Sequence, residues 1–257
     1  MSEKGKDDQL RKKHTKIAKI LALIFCGILF INFLIISMIY SWPDWIATLI
    51  FSLLFIVPGY FSNAGMVIMG GGTPIDKGRL WRDGKRIFGD HKTISGLIKG
   101  PLYFGIPISL GIFGLFILLW PLIQAIPLSG IKMGIYSLYS DIKYYKFYFI
   151  GGDLPIGFLV LILRVVLCSY GAALGDLMGS FLKRRFNFKS GEPFWIIDQL
   201  DFAIGAIILT SIPSIFLPGI YMMPDANIII FLLILTPSVS IIANTVAYLI
   251  GLKSVPW

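Results

Sequence analysis

GAALGDLMGSFLKRRFNFKSGEPFWIIDQLDF, residues 171–202, sets four acidic and four basic residues between two long apolar runs. The run before it, residues 154–170, is interrupted by a single charge, Arg164, and the run after it, residues 202–217, carries none. Apolar runs of this length on either side of a short charged connection predict two membrane-spanning helices joined on one face of a bilayer. A second polar stretch, GGGTPIDKGRLWRDGKRIFGDHKTISG at residues 70–96, also lies between apolar runs. Together the two stretches hold seven of the fourteen acidic residues and ten of the twenty-three basic ones, a concentration of polar chemistry that marks a site.

The rest of the chain agrees with a membrane assignment. Across 257 residues, 56% are hydrophobic and 14% charged, and the mean hydropathy is +0.80, which excludes an ordinary soluble domain. The fold class is therefore an all-α integral membrane protein, a polytopic bundle of about six transmembrane helices with cytoplasmic polar loops. The spans are expected near residues 20–40, 46–69, 101–119, 154–182, 196–217 and 228–250. Residues 121–153, rich in Tyr, Ile and Gly, read as an outer loop lying partly along the membrane interface. Pro58, Gly59, Asn63 and Gly65 are expected to interrupt the second span, with Asn63 suited equally to an interhelical hydrogen bond or to the site.

Orientation follows from the basic residues. Nineteen Lys and Arg fall in the N-terminal segment, the two polar stretches with Lys99, and the tail, against Lys132, Lys143 and Lys146 on the other side. That bias puts both termini and both polar stretches in the cytoplasm, and it explains the net charge of +9 without nucleic acid. The basic start of the chain resembles a secretory leader, but the apolar run behind it is too long for one and lacks a small-residue cleavage site. Residues 1–45 thus read as a basic segment and an additional first helix, and residues 46–257 as the main membrane domain. Cys26 and Cys168 both lie in apolar runs and read as core thiols, too few for a disulfide framework or a structural zinc site.

Within the second stretch, Gly171, Gly175 and Gly179 recur every four residues and give one helix face for close packing. Asp176 lies beside that face at a depth where a carboxylate is costly, so it has either a function or a specific basic partner. Asp198 and Asp201, three residues apart, project from one helix face. Two like charges so close call for a cation, and magnesium uses one or two carboxylates plus substrate phosphates; attraction to the helix dipole explains one of them and not both. Lys183, Arg184 and Lys189 alone would be topology anchors, but between these carboxylates they form a plausible phosphate clamp. Arg164 lies about 18 Å along its helix from Asp176, beyond pairing distance, and is expected to snorkel or to meet another helix.

In the first stretch Gly70, Gly71 and Gly72 allow a backbone to approach an anion, although most such loops are turns and no Walker or dinucleotide motif is present. Asp76, Asp83, Asp90, His91 and Lys92 follow closely. Mixed charge of this kind suits a bound phosphate with a metal better than simple headgroup attraction. His91 between Asp90 and Lys92 is by itself an ordinary surface histidine.

Ser180, Lys183, Arg184, Lys189, Gly191, Pro193, Asp198, Gln199 and Asp201 resemble the signature of membrane CTP:phosphatidate cytidylyltransferases, with Asp-Gln-Leu-Asp closing the motif. The bacterial His-Gly-Gly ahead of the motif is missing. With Pro74, Asp76, Asp83, Gly84, Gly89, Asp90, His91, Lys92, Thr93 and Gly96, the chain is similar to the archaeal CDP-archaeol synthase family over residues 46–250. The resemblance implies CTP and 2,3-bis-O-geranylgeranylglycerol 1-phosphate, an isoprenoid ether lipid phosphate, as substrates, and CDP-activated lipid and pyrophosphate as products. It also implies Mg2+ as cofactor. On this reading Asp198 and Asp201, supported by Asp176, would ligate metal, and Lys183, Arg184 and Lys189 would hold phosphates. Asp76, Asp83, Asp90, His91 and Lys92 would cover the nucleotide. The family usually has five spans, which makes the first helix an addition.

Two other readings fit parts of the sequence. A secondary transporter of a phosphorylated metabolite would explain a broken second helix, but its site belongs near the midplane between repeated halves, and no repeat is evident. A scaffold that binds anionic lipid would explain the bases and leave the paired carboxylates without a role. Oligomeric state is not legible in the sequence.

Overall fold

The computed structural model describes residues 3–134, 136, 138–188 and 192–253, with residues 3–11 known through their backbone. Its helices are α1 (Glu3–Ile39), α2 (Trp42–Ile68), α3 (Ile94–Gly100), α4 (Ile106–Ile123), α5 (Ala125–Met133), α6 (Ile142–Ile150), α7 (Ile156–Arg185), α8 (Trp195–Ser211), α9 (Pro213–Phe216) and α10 (Ala226–Leu249). Among the described residues six helical segments are long and apolar enough to cross a bilayer, and the protein is a multi-pass membrane protein. Among those residues there is no β-strand; two isolated bridges, Pro74 with Thr93 and Leu80 with Arg86, close the first polar stretch on itself.

Several boundaries differ from the sequence expectation for local reasons. The SWPD connection is the start of α2: Ser41 Oγ accepts the Asp44 amide at 3.2 Å and Pro43 occupies the first turn, where its missing N–H costs nothing. The third span begins at Ile94, because Thr93 caps α3 by accepting the Gly96 amide. One π-helical turn, Pro101–Gly105, then carries the chain past Pro101 into α4. α2 runs unbroken through Pro58; its Gly59 and Gly65 serve close packing, the space of a Cβ being taken by Ala172 and by Phe104. The last part of the fifth span separates as α9 at Pro213.

Much of the stretch 121–153 is helical. α4 continues to Ile123, and α6 turns back into the bundle, burying Tyr145, Phe147, Tyr148, Phe149 and Ile150. Two polar groups draw it inward. Tyr145 Oη donates to the buried Asp44 at 2.8 Å, and Arg164 of α7 donates to the carbonyls of Phe147 at 3.3 Å and Tyr148 at 2.9 Å in the last turn of α6. Arg164 is 3% exposed, so it meets another helix instead of snorkelling. Of the two thiols, Cys168 is in the core, whereas Cys26 is exposed on α1, on an apolar surface that a bilayer would cover.

The closest helix pairing is that of α7 with α8, and the glycine spacing produces it. Gly171 lies against Gly205 and Ala206, Gly175 against the backbone of Asp201 and Phe202, and Gly179 against the Asp201 side chain. With no Cβ in the way, the two backbones approach closely enough to bring the second polar stretch into register with itself.

Candidate active site

The first polar stretch is organised around one carboxylate. Asp76 accepts two hydrogen bonds from Arg86, at 2.7 and 3.2 Å, and one each from the amides of Gly78, Phe88 and Gly89 at 3.0 to 3.1 Å. Its side chain is fully buried. Burial works against the charge, but Arg86 and the three amides outweigh it and hold the carboxyl well below the usual carboxylate range. Asp76 is thus the hub of the loop and does not line the cleft described below.

The loop is then fastened to the end of α7. Arg185 pairs with Asp83 at 2.7 Å, donates to the Arg86 carbonyl at 2.5 Å and lies over the Phe181 ring. Lys85 donates to the Arg185 carbonyl at 3.0 Å, and Arg184 donates to the carbonyls of Phe88 and Phe188 at 3.1 and 2.7 Å. Asp83 and Arg184 are therefore fasteners between loop and helix. Lys189 lies outside the described residues.

Held in this way, the loop walls a cleft of about 450 Å³ between α2, α3 and α7. Gly70, Gly71, Gly72, Asp90, His91 and Lys92 form one side and Asp176 the other, with Asn63 at the α2 wall. Lys92 Nζ donates to Asp176 at 2.5 Å across 84 residues of sequence, so the specific basic partner of this carboxylate is now identified. Asp90 pairs with Arg86 at 2.8 Å and is otherwise exposed. The apolar wall, Met66, Val67, Leu97, Ala173 and Leu177, was not foreseen, because in sequence these residues look like any others in their helices.

On the other side of the α7–α8 crossing is an apolar groove of about 460 Å³. Leu174, Met178, Leu182, Ile197, Ile204 and Ile208 line it and are exposed, and Asp201 is the only charged residue in its lining. Asp201 Oδ1 accepts the amide of Phe202 at 2.6 Å, its other oxygen fills the space left by Gly179, and among the described residues no Lys or Arg pairs with it. Asp176, Asp198 and Lys92 all act on it electrostatically. Asp198 accepts from Lys183 at 2.7 Å and from the Phe194 amide at 2.9 Å. Along the crossing, then, run Lys92 with Asp176, Asp201 without an ion pair among the described residues, and Lys183 with Asp198. Among the described residues no three acidic or histidine side chains converge as a ready-made metal cage.

The family model described as CarS-like, CDP-archaeol synthase, matches residues 45–118 and 127–257. The chain belongs to the CDP-archaeol synthase family. Curated CDP-archaeol synthases from Thermococcus kodakarensis and Thermococcus onnurineus are 35% and 37% identical to it, over 83% and 82% of this chain and 99% of each relative. That from Methanospirillum hungatei is 33% identical over 78% of this chain and 99% of its own. A solved intramembrane enzyme of archaeal membrane lipid biosynthesis matches 77% of this chain and 92% of its own at 24% identity and a TM-score of 0.45. As a member of the CDP-archaeol synthase family the protein is a membrane enzyme, a CTP-dependent cytidylyltransferase of archaeal lipid biosynthesis. Membership leaves the transporter reading without support.

Proposed function

We propose that the enzyme transfers the cytidylyl group of CTP to 2,3-bis-O-(geranylgeranyl)-sn-glycerol 1-phosphate, releasing pyrophosphate, on the cytoplasmic face of the cell membrane. One observation carries the reading. A polar cleft and an exposed apolar groove share α7 as a wall, with Asp176 lining the first and Asp201 the second. A nucleotide and a membrane lipid can therefore meet at these carboxylates without either leaving its own medium.

The lysines and carboxylates have complementary tasks. Lys92 and Lys183 would turn from Asp176 and Asp198 to the phosphates of CTP, where an ammonium is a compact point charge. The glycines at 70–72 would let the backbone approach those phosphates closely, and His91 and Asp90 would border the nucleotide. In the groove, the lipid phosphate would lie at the Asp201 end with its chains along Leu174, Met178 and Ile208. One of its oxygens attacks the α-phosphorus in line; the new P–O bond forms as the bond to the bridging β-phosphate oxygen breaks, and pyrophosphate carries away that electron pair. Such chemistry needs positioning and charge neutralisation and no covalent nucleophile.

The donor set suits magnesium. Asp201 is a half-buried carboxylate flanked by two more and lacking a cationic partner among the described residues, and Mg2+ takes oxygen ligands from one or two carboxylates plus phosphates. Asp198 and Asp201 would hold it with Asp176 in support, and it would supply positive charge to the triphosphate and the departing pyrophosphate. On this reading residues 46–257 are the transferase and residues 1–45 an addition to it.

The test is pyrophosphate release by the purified protein with Mg2+, offering CTP or ATP and geranylgeranyl ether or diacyl glycerol phosphate. Release with CTP and the ether lipid only is the expected result. Equal turnover of the diacyl lipid would overturn the lipid assignment, and full activity of Asp198→Ala or Asp201→Ala would overturn the metal assignment.

A further inference from the structure

The start of α8 is a weak point of the fold and carries the carboxylates of the site. Its first residue, Trp195, has a left-handed backbone (φ 34), a conformation unfavourable for a bulky side chain, and the residue before it, Phe194, gives no side-chain cap. Three neighbouring helices each hold one residue of these opening turns. Lys183 of α7 pairs with Asp198, and Ser240 of α10 donates to Gln199. The third is α1, whose His14 ring meets the Trp195 ring edge-on with centroids 6.0 Å apart.

α1 lies outside the residues that the family model matches, which begin at 45. It is nevertheless tied to the bundle at both ends. Towards the polar face, Thr15 Oγ1 donates to Tyr248 Oη of α10 at 3.4 Å, beside His14. Towards the opposite face, Trp45 Nε1 donates to Asn32 at 2.9 Å and packs its ring on Phe33 and on Phe231 of α10. Between these ties the helix presents mainly apolar, exposed side chains. A membrane anchor alone would need only that apolar length. The contacts of His14 and Thr15 fall in the first turn of that span, which begins at Lys12, at the helix end that reaches the site.

We infer that α1 is a positioning element for the transfer reaction: through His14 it holds the Trp195 ring, and through Trp195 it fixes the opening turns of α8 from which Asp198 and Asp201 project. The inference rests on the reading that those two carboxylates act in the transfer. His14 is a positioning residue, remote from the reacting atoms, and what it supplies is an aromatic edge against the Trp195 ring.

The experiment uses the full chain and the substrates named above. His14→Ala should lower kcat about fivefold, since a small displacement of catalytic groups is costly. The KM for CTP should change less than kcat, because Lys92 and the glycine wall of the cleft lie across α7 and do not move with α8. His14→Phe, which keeps an aromatic ring, should restore most of kcat. In a Trp195→Ala background His14→Ala should have no further effect. With 5-fluorotryptophan in place of tryptophan, the Trp195 resonance, assigned by its loss in Trp195→Phe, should move in His14→Ala and return in His14→Phe. Wild-type kcat in His14→Ala, or equal losses in His14→Ala and His14→Phe, would overturn the inference. Asp201→Ala tests the underlying reading separately: its inactivity beside an unaffected His14→Ala would discard the role of α1 alone.

Discussion

Replacing Gly175 by alanine should disable the enzyme while leaving the nucleotide cleft in place. A Cβ at this position would lie 2.2 Å from the Asp201 carbonyl oxygen and 2.9 Å from the Asp201 carbonyl carbon and the Phe202 Cα, all backbone atoms of α8. Heavy atoms settle at roughly 3.5 Å, so α8 must retreat by about 1 Å at Asp201 itself. Overpacking of this kind costs about 1–3 kcal/mol of stability. A misplacement of about 1 Å in a positioned group costs on the order of a hundredfold in rate, near 2.7 kcal/mol of barrier. The lining of the cleft is contributed by α2, α3, the first polar stretch and the Asp176 side of α7, so the KM for CTP should rise less than kcat falls. The assay is pyrophosphate release per folded molecule, with folding judged by elution as a single species in detergent. Two further glycines calibrate it. Gly59→Ala meets the Ala172 Cβ at 3.2 Å, with Ile56 and Phe202 side chains at an ordinary 3.6 Å, and should lose a few-fold; Gly111→Ala on α4 meets nothing within 4 Å and should be silent. A folded Gly175→Ala protein within threefold of the wild-type rate would refute the claim that this close approach sets the geometry of Asp201.

Lys92→Met removes the charge that faces Asp176 in the cleft and should lower kcat/KM for CTP about ten- to a hundredfold, the weight of one charge-assisted contact; steady-state kinetics would expose an error as an unchanged ratio. Arg164→Met leaves the Phe147 and Tyr148 carbonyls without their donor in the core and should destabilise the bundle by about 2 kcal/mol, read as a lower unfolding midpoint; an unaltered midpoint would mean that α6 is held by other contacts. Asp76→Asn should release the first polar stretch, seen as faster hydrogen exchange at the Phe88 and Gly89 amides at neutral pH. The sign of the pH dependence follows from the depressed carboxyl of Asp76. Its contribution to loop order is present above the ordinary carboxylate pKa, near 4, and is lost only as pH falls toward its lower folded value. Protection of those amides, corrected for intrinsic rates, should therefore be full well above about pH 4 and decline progressively below it.

The six spans, the shared face of the two polar stretches and the close α7–α8 packing were legible in the sequence, because each depends on local pattern: apolar length, charge position and a four-residue glycine spacing. The candidate site residues were legible as a set, being the polar residues of an apolar chain. Their division of labour was not. Asp76, Asp83 and Asp90 look alike in sequence, yet one is the buried hub of the loop, one pairs with Arg185 and one borders the cleft. Only the packed chain separates these roles, since Asp76 is set by Arg86 10 residues away and Asp83 by Arg185 102 residues away. The inward turn of α6 was hidden for a similar reason, as its aromatic residues suit a membrane interface equally well until Arg164 and Asp44 are brought to them. Composition and periodicity thus determined that this protein crosses the membrane and where its chemistry gathers. Tertiary structure decided which charges line the cleft and the groove and which hold the frame, because burial and pairing at a distance are properties of the fold and not of any one segment.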